Sequence, residues 1–328
     1  MRKRSKAKGI VIFCVLLVLV VVVLYCGLRI MEATILTPNN EGSGETVSKT
    51  ITRDGVQYFP RQDITVMMVL GIDQYGPVAS SKYYRNEGSA DSIMLLIFDE
   101  TNKDSTVLYL NRDTMVDMDV LGVKGEYAGT RYGQLALAHT YGQGLEDSSE
   151  NVKNTIMKFL PGLSIDYYMA MNMDAIPVLN DAVGGVTVTV VDDFSKVNPS
   201  ITMGEVTLQG NQVIDFIRTR KDVGDQKNVT RMERQKEYVD NFLKALYQKE
   251  HENIDFLINV YEQVAPYIVT DCSVNTLGGM LDRYVDYEIK EVVSPAGENI
   301  VVDGHYEFHV DEEALDELIV RLFYTRKK

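Results

Sequence analysis

Three apolar runs of strand length stand out along the chain: ITVMMVLGI at 64–72, IMLLIF at 93–98 and STVLYL at 105–110, each bounded by polar or turn residues. They read as buried strands. The connection DETNKD, 99–104, is short enough for a hairpin, so the second and third runs should be antiparallel neighbours. If the first run also pairs antiparallel with the second, Asp73 follows one strand, Asp91 precedes the next, and Arg112 with Asp113 follows the third. All four then fall at one end of the sheet, where ligands of layered α/β domains usually sit.

Helical patterns take over downstream. Residues 146–163 read as a helix ended by Pro161 and Gly162, and 173–185 as a second, with Asp174 as N-cap, Pro177 in the first turn and Gly184 past the end. VTVTVV, 186–191, reads as a strand, and 210–220 as helix; 230–249 carries the clearest helical pattern in the chain. Further helices are expected near 252–265 and 312–323, with a strand at 288–294 between them. Mixed strands and helices imply an α/β layered domain.

The first nine residues, MRKRSKAKG, carry five positive charges and run into IVIFCVLLVLVVVVLYCGL, 10–28, which has no charge. A helix of that length is about 28 Å long, close to the hydrocarbon thickness of a bilayer. The expected organisation is a cytoplasmic basic tail, a transmembrane helix over 10–28, a tether over 29–57 and an extracellular domain over 58–328. A cleaved signal peptide would share the basic start, but no A-x-A pattern follows the apolar run. Tyr25 before Cys26 also departs from the small residue that lipidation of that cysteine would want.

Charge narrows the partners. The 328-residue chain has a formal net charge of -14; setting aside residues 1–30, which hold six basic and no acidic residues, leaves -20. Nucleic acid and anionic lipid surfaces are poor partners for such a domain as a whole, and any anion must be captured at a local basic site. Cys14 and Cys26 fall in the expected span, so Cys272 stands alone outside it and no disulfide is expected within the domain.

One such basic site is written in FIRTRKDVGDQKNVTRMERQ, 216–235. Residues 218–235 hold six basic and three acidic residues, a local +3. Thr230 and Glu233 form a capping box, after which Arg231, Arg234, Gln235 and Tyr238 share one helix face. Arginines in the first turn oppose the helix dipole unless an anion docks there, and a phosphate would suit the free N–H groups and the guanidinium forks. Arg218 and Arg220 share a face only if the chain has straightened there into an extended exit.

Taken together, VLGID (69–73), ADSIMLLIF (90–98), LNRDTMVDM (110–118), NDAVGGVTVTV (180–190) and FIRTR…RMERQ resemble the LytR-CpsA-Psr family of bacterial cell-envelope proteins, in order and spacing, over roughly residues 61–248, with 249–328 as a C-terminal extension. The resemblance implies an α-β-α three-layer sandwich with a central mixed sheet, a hydrophobic groove for a polyprenyl chain, and a membrane-anchored phosphotransferase. Such an enzyme moves a glycopolymer of teichoic acid or capsule type from an undecaprenyl pyrophosphate carrier to peptidoglycan through a phosphodiester. It further implies that Asp73 and Asp91 hold Mg²⁺ beside the pyrophosphate and that Arg112, Arg218, Arg220, Arg231, Arg234 and Gln235 grip its oxygens. Asp113 would support Arg112, and Asp73 or another site carboxylate would be the base.

Ser89 stands where the family carries arginine, and Arg85 in the loop before it is the candidate substitute. The family's acidic residue in the loop between Arg220 and Arg231 could fall on Asp222 or Asp225. The chemistry is coherent in its own terms: splitting a phosphoanhydride calls for neutralised oxygens, which arginines and a divalent ion supply without a covalent nucleophile. A pyrophosphate hydrolase, and a non-catalytic wall-polymer binding or regulatory protein, are the competing functions.

Other signals carry less. His305 and His309 have H-x3-H spacing but lie on an expected strand with no third zinc ligand implied, and His139 reads as a core or groove residue. Cys272 reads as a buried, inert thiol, and YYMAMNM, 167–173, as a core strand or helix in preference to a groove wall.

Overall fold

The computed structural model describes residues 50–326 apart from 54, 84, 220, 225–233, 235–236, 239–240, 243, 247, 250–255, 274–275, 277–278, 281–282 and 285–286. The apolar run at 10–28 lies outside the described residues. In chain order the strands and helices are β1 (Ile51–Arg53), β2 (Val56–Pro60), β3 (Ile64–Ile72), β4 (Ala90–Asp99), β5 (Asp104–Leu110), β6 (Met115–Leu121), β7 (Tyr127–Gln134), α1 (Glu146–Phe159), β8 (Tyr167–Asn172), α2 (Ala175–Ala182), β9 (Val186–Val190), β10 (Gly204–Leu208), α3 (Gln212–Arg218), α4 (Phe256–Val264), β11 (Ile268–Thr270), β12 (Glu288–Val293), β13 (Gly297–Val302), β14 (His305–Val310), α5 (Glu312–Phe323) and β15 (Tyr324–Arg326). The described residues between 234 and 249 are helical as well.

Six strands form the central sheet in the order β11-β8-β3-β4-β5-β12. β3, β4 and β5 pair antiparallel, while β3 with β8 and β5 with β12 pair parallel, so the sheet is mixed. The three apolar runs are unbroken because both faces are covered. Met67, Val69, Met94 and Leu96 pack with Leu179, Phe216, Tyr238 and Phe242 on one side. Val66, Met68, Leu70, Ile93 and Leu95 pack with Val152, Ile156, Ile319 and Phe323 on the other. A one-residue slip would exchange these sets, so the register is fixed by both helical layers. This alternation also places the carboxyl ends of β3, β5 and β8 and the start of β4 along one edge.

Three expectations need adjustment. Asp91 lies inside β4, as its second residue, instead of before it. Asp174 occupies the N-cap position of α2, but its carboxylate accepts no helical N–H; it accepts the Gly76 N–H at 2.7 Å and so ties the loop after β3 to the start of α2. Ordered strands also begin before Tyr58: β1 pairs with β2, which pairs with the C-terminal β15, so part of the expected tether belongs to the domain.

Candidate functional site

Turn chemistry at the end of β5 builds the site. Asn111 accepts the Asp113 N–H on its side-chain oxygen at 3.0 Å and the Thr114 N–H on its carbonyl at 3.0 Å. An asparagine that folds back on the chain two residues later makes a tight turn, and here it leaves Arg112 and Asp113 at the tip. On the neighbouring strands the Asp73 N–H donates to the Ser89 carbonyl at 2.9 Å, which holds the exit of β3 against the entry to β4.

The side chains then meet across these ends. Arg112 forms an ion pair with Asp91 and a second, at 3.5 Å, from its Nε to Asp113. Arg218, the last residue of α3, reaches Asp73 at 3.3 Å and donates to the Tyr75 hydroxyl at 3.2 Å. Thr219 beyond it is extended, so α3 ends at Arg218. Two ion-pair groups, Arg112 with Asp91 and Asp113 and Arg218 with Asp73, thus share this end of the sheet, joined through Ser89, which accepts the Asp73 N–H and donates to Asp91. Asp73 and Arg218 are the more open pair, 40% and 37% exposed, against 24% for Asp91.

Several residues that support this cluster carry no sequence signal. Ser89 donates its hydroxyl to Asp91 at 2.8 Å, so the residue that departs from the expected arginine steadies the carboxylate two positions on. Gln134 donates its side-chain amide to Asp113 at 3.0 Å and to the Tyr306 carbonyl at 2.7 Å, while the Phe308 N–H donates to the Asp113 carbonyl at 2.8 Å. The β13–β14 hairpin thus braces a turn almost 200 residues earlier in the chain. Burial pushes the Asp113 carboxyl up, Arg112 beside it pulls it down, and Asp91 adds a smaller push up.

The loop before β4 is fixed from beneath. Asn86 donates to the His139 carbonyl at 2.7 Å and to Ser148 at 3.0 Å, and accepts the Gly88 N–H at 2.8 Å. His139 is buried, and its Nδ1 faces the Gly88 carbonyl at 2.7 Å. A carbonyl only accepts, so Nδ1 carries the proton. Burial lowers the imidazole to about 4, in keeping with a core residue. Cys272 is buried too, its thiol pushed up to about 12 by burial, and YYMAMNM supplies β8, an interior strand of the central sheet.

Two expected phosphate ligands sit elsewhere. Arg85 lies with its guanidinium 5.9 Å from the centre of the Tyr141 ring. Arg234 turns inward: 6% exposed, it donates to the Phe216 carbonyl at 3.0 Å, to the Thr219 carbonyl, and to Asp192 at 2.9 Å. It also lies over the rings of Phe194 and Phe216. Its donors are used on the end of α3, so it cannot also point at a ligand beside Asp73; it fixes the exit from which Arg218 projects. Arg220, Arg231, Gln235, Asp225 and the Thr230–Glu233 capping box lie outside the described residues. Asp222 is described and holds a left-handed backbone, φ 63°.

Comparison with known proteins shows the family and the fold. A teichoic acid transferase of Bacillus subtilis, named polyisoprenyl-teichoic acid–peptidoglycan teichoic acid transferase TagU, is 22% identical over 289 residues, 87% of this chain and 85% of that protein. Its namesake from Bacillus licheniformis is 21% identical over 279 residues, 85% of this chain and 83% of that one. Among solved structures, TagV of Bacillus subtilis superposes with a TM-score of 0.55 at 21% identity, covering 80% of this chain and 96% of its own. TagT bound to LIIa-WTA superposes with a TM-score of 0.55 at 20% identity, covering 87% and 98%. These structures share the mixed α/β fold. The LytR_cpsA_psr family model matches residues 34–323, nearly the whole chain, and the protein belongs to that family.

Proposed function

We propose that this protein is a membrane-anchored phosphotransferase that attaches an undecaprenyl-pyrophosphate-linked glycopolymer to peptidoglycan through a phosphodiester. The observation that carries this reading is the placement at one end of the sheet of two ion-pair groups, Arg112 with Asp91 and Asp113 and Arg218 with Asp73, although the two arginines stand 106 positions apart in the sequence. Relatives named for the transfer of teichoic acid to peptidoglycan support it. The apolar run at 10–28 would anchor the domain to the membrane with its N-terminus cytoplasmic, and the helix-covered sheet would form the α-β-α sandwich of that enzyme class.

The chemistry follows from charge. A sugar hydroxyl of peptidoglycan attacks the phosphorus that bears the glycopolymer, the bond from that phosphorus to the bridging oxygen breaks, and polyprenyl phosphate leaves with that oxygen. Arg112 and Arg218 neutralise the non-bridging and departing oxygens, which is where guanidinium groups act on phosphoryl transfer. Asp73, the most exposed carboxylate of the cluster, takes the proton of the attacking hydroxyl.

The donor set suits Mg²⁺. Among the described residues no group of three or more acidic, histidine or cysteine side chains forms a closed cage, and Mg²⁺ characteristically uses one or two carboxylates and leaves its other positions to water and substrate phosphate. Asp73 and Asp91 would hold it, and its charge would add to that of the arginines on the diphosphate oxygens.

The test is transfer of labelled glycopolymer from a lipid-linked donor to peptidoglycan by the full-length protein. Arg218→Ala should lower the rate by about 10²–10³-fold, the scale for removing one transition-state charge stabiliser, with an unchanged unfolding midpoint. Full activity in that variant rejects the site. Glycan released at the same rate without peptidoglycan would make the protein a hydrolase instead.

A further inference from the structure

Beside this cluster lies a second grouping of donors. Arg131 on β7 donates from Nη1 to the Tyr141 hydroxyl at 3.0 Å, and the Arg85 guanidinium lies over the ring of the same tyrosine at 5.9 Å. Tyr141 is 5% exposed, so its ring is a fixed post, while both arginines are exposed. Among the described residues neither arginine has a carboxylate within ion-pair distance, and the Tyr141 hydroxyl, which accepts from Arg131, has no acceptor for its own proton. Two guanidinium groups gathered on one ring repel each other unless a counter-charge joins them. In a domain of strong negative charge, two such cations and a free O–H donor, with no carboxylate among them, mark a place for an anion.

Its position says which anion. Tyr141 follows the turn of 3-10 helix Leu135–Thr140, whose Ala136 N–H donates to the Arg112 carbonyl at 3.0 Å, and the Asn86 N–H next to Arg85 donates to the Thr140 carbonyl at 2.9 Å. Arg85 enters the same loop that delivers Ser89 and Asp91. The grouping is thus tied through the backbone to the flank of the site that carries Arg112. We propose that Arg85, Arg131 and Tyr141 form a second anion subsite that takes a phosphodiester of the polymer being transferred, separate from the pyrophosphate at Arg112 and Arg218. This rests on the reading above for the polymer's identity, and it makes the donor a polyol-phosphate chain in preference to an uncharged glycan.

The test separates the two phosphate sources. Full-length protein in nonionic detergent is titrated calorimetrically with a short glycerol-phosphate oligomer that contains no pyrophosphate, and separately with inorganic pyrophosphate. The oligomer should bind the native protein; Arg131→Gln should weaken it about tenfold and Arg131→Lys should recover part of that, while pyrophosphate binds both variants as it binds the native protein. Equal losses for the two ligands would place Arg131 in the pyrophosphate site and overturn the proposal. So would an oligomer that fails to bind the native protein, or one that binds Arg131→Gln unchanged. Because binding needs no turnover, a protein that takes up the oligomer yet transfers nothing would keep the subsite and discard the transferase reading.

Discussion

Arg234 shows what a single side chain does when its surroundings are known. It answers two carbonyls at the end of α3 and the Asp192 carboxylate, and it fills the space over Phe194 and Phe216. Arg234→Met would leave Asp192 and both carbonyls without that partner, and the expected loss is about 3 kcal/mol, the scale for breaking a buried ion pair from one side. A urea midpoint unchanged from the native protein would contradict this. Arg234→Lys should restore only part, since a point charge cannot match three acceptors set around a planar fork. The helical spacing placed Arg234 on one face with Arg231, and the described residues do confirm helix there. What the spacing could not reveal is that a carboxylate 42 positions earlier and the end of the preceding helix press on that face.

At the level of elements, the parts foreseen best are those whose pattern is local. β3, β4 and β5 announced themselves as apolar runs, and their antiparallel order put Asp73, Asp91, Arg112 and Asp113 at one edge before any coordinate was known. The β6–β7 and β13–β14 hairpins did not, because β7 and β13 are largely exposed, and the hold on the site is made by backbone groups and one glutamine. The loop between β3 and β4 is the element on which the site is most dependent. A methyl added at Gly88 would come within 2.8 Å of Ile72 Cγ2, which belongs to a buried core residue. Gly88→Ala should therefore cost about 1–3 kcal/mol, as overpacked core positions do, and should also slow transfer by shifting Ser89 and the carboxylate it steadies. Measuring denaturation midpoint and rate on one preparation checks both; loss of neither would show that the loop yields freely.

Over the whole molecule, acid should act through His139. The unfolded imidazole titrates near 6.5 and the native one at about 4, so the unfolded chain binds the proton first. Stability from this group is complete above about pH 6.5 and declines as the pH falls toward 4, by about 3 kcal/mol in all. Urea titrations across that window should show the decline, and His139→Gln should flatten it; the same slope in both proteins would assign it to other groups. The shape of the chain has a further outcome. Ile51 and Arg326 both stand opposite Tyr58, on either side of it, so they lie about two strand spacings, or roughly 10 Å, apart. Head and tail are near enough to be spliced by a short peptide, and a circular permutant reopened at a surface turn should still assemble. By the same closeness, a reporter fused behind position 328 would lie beside the start of β1.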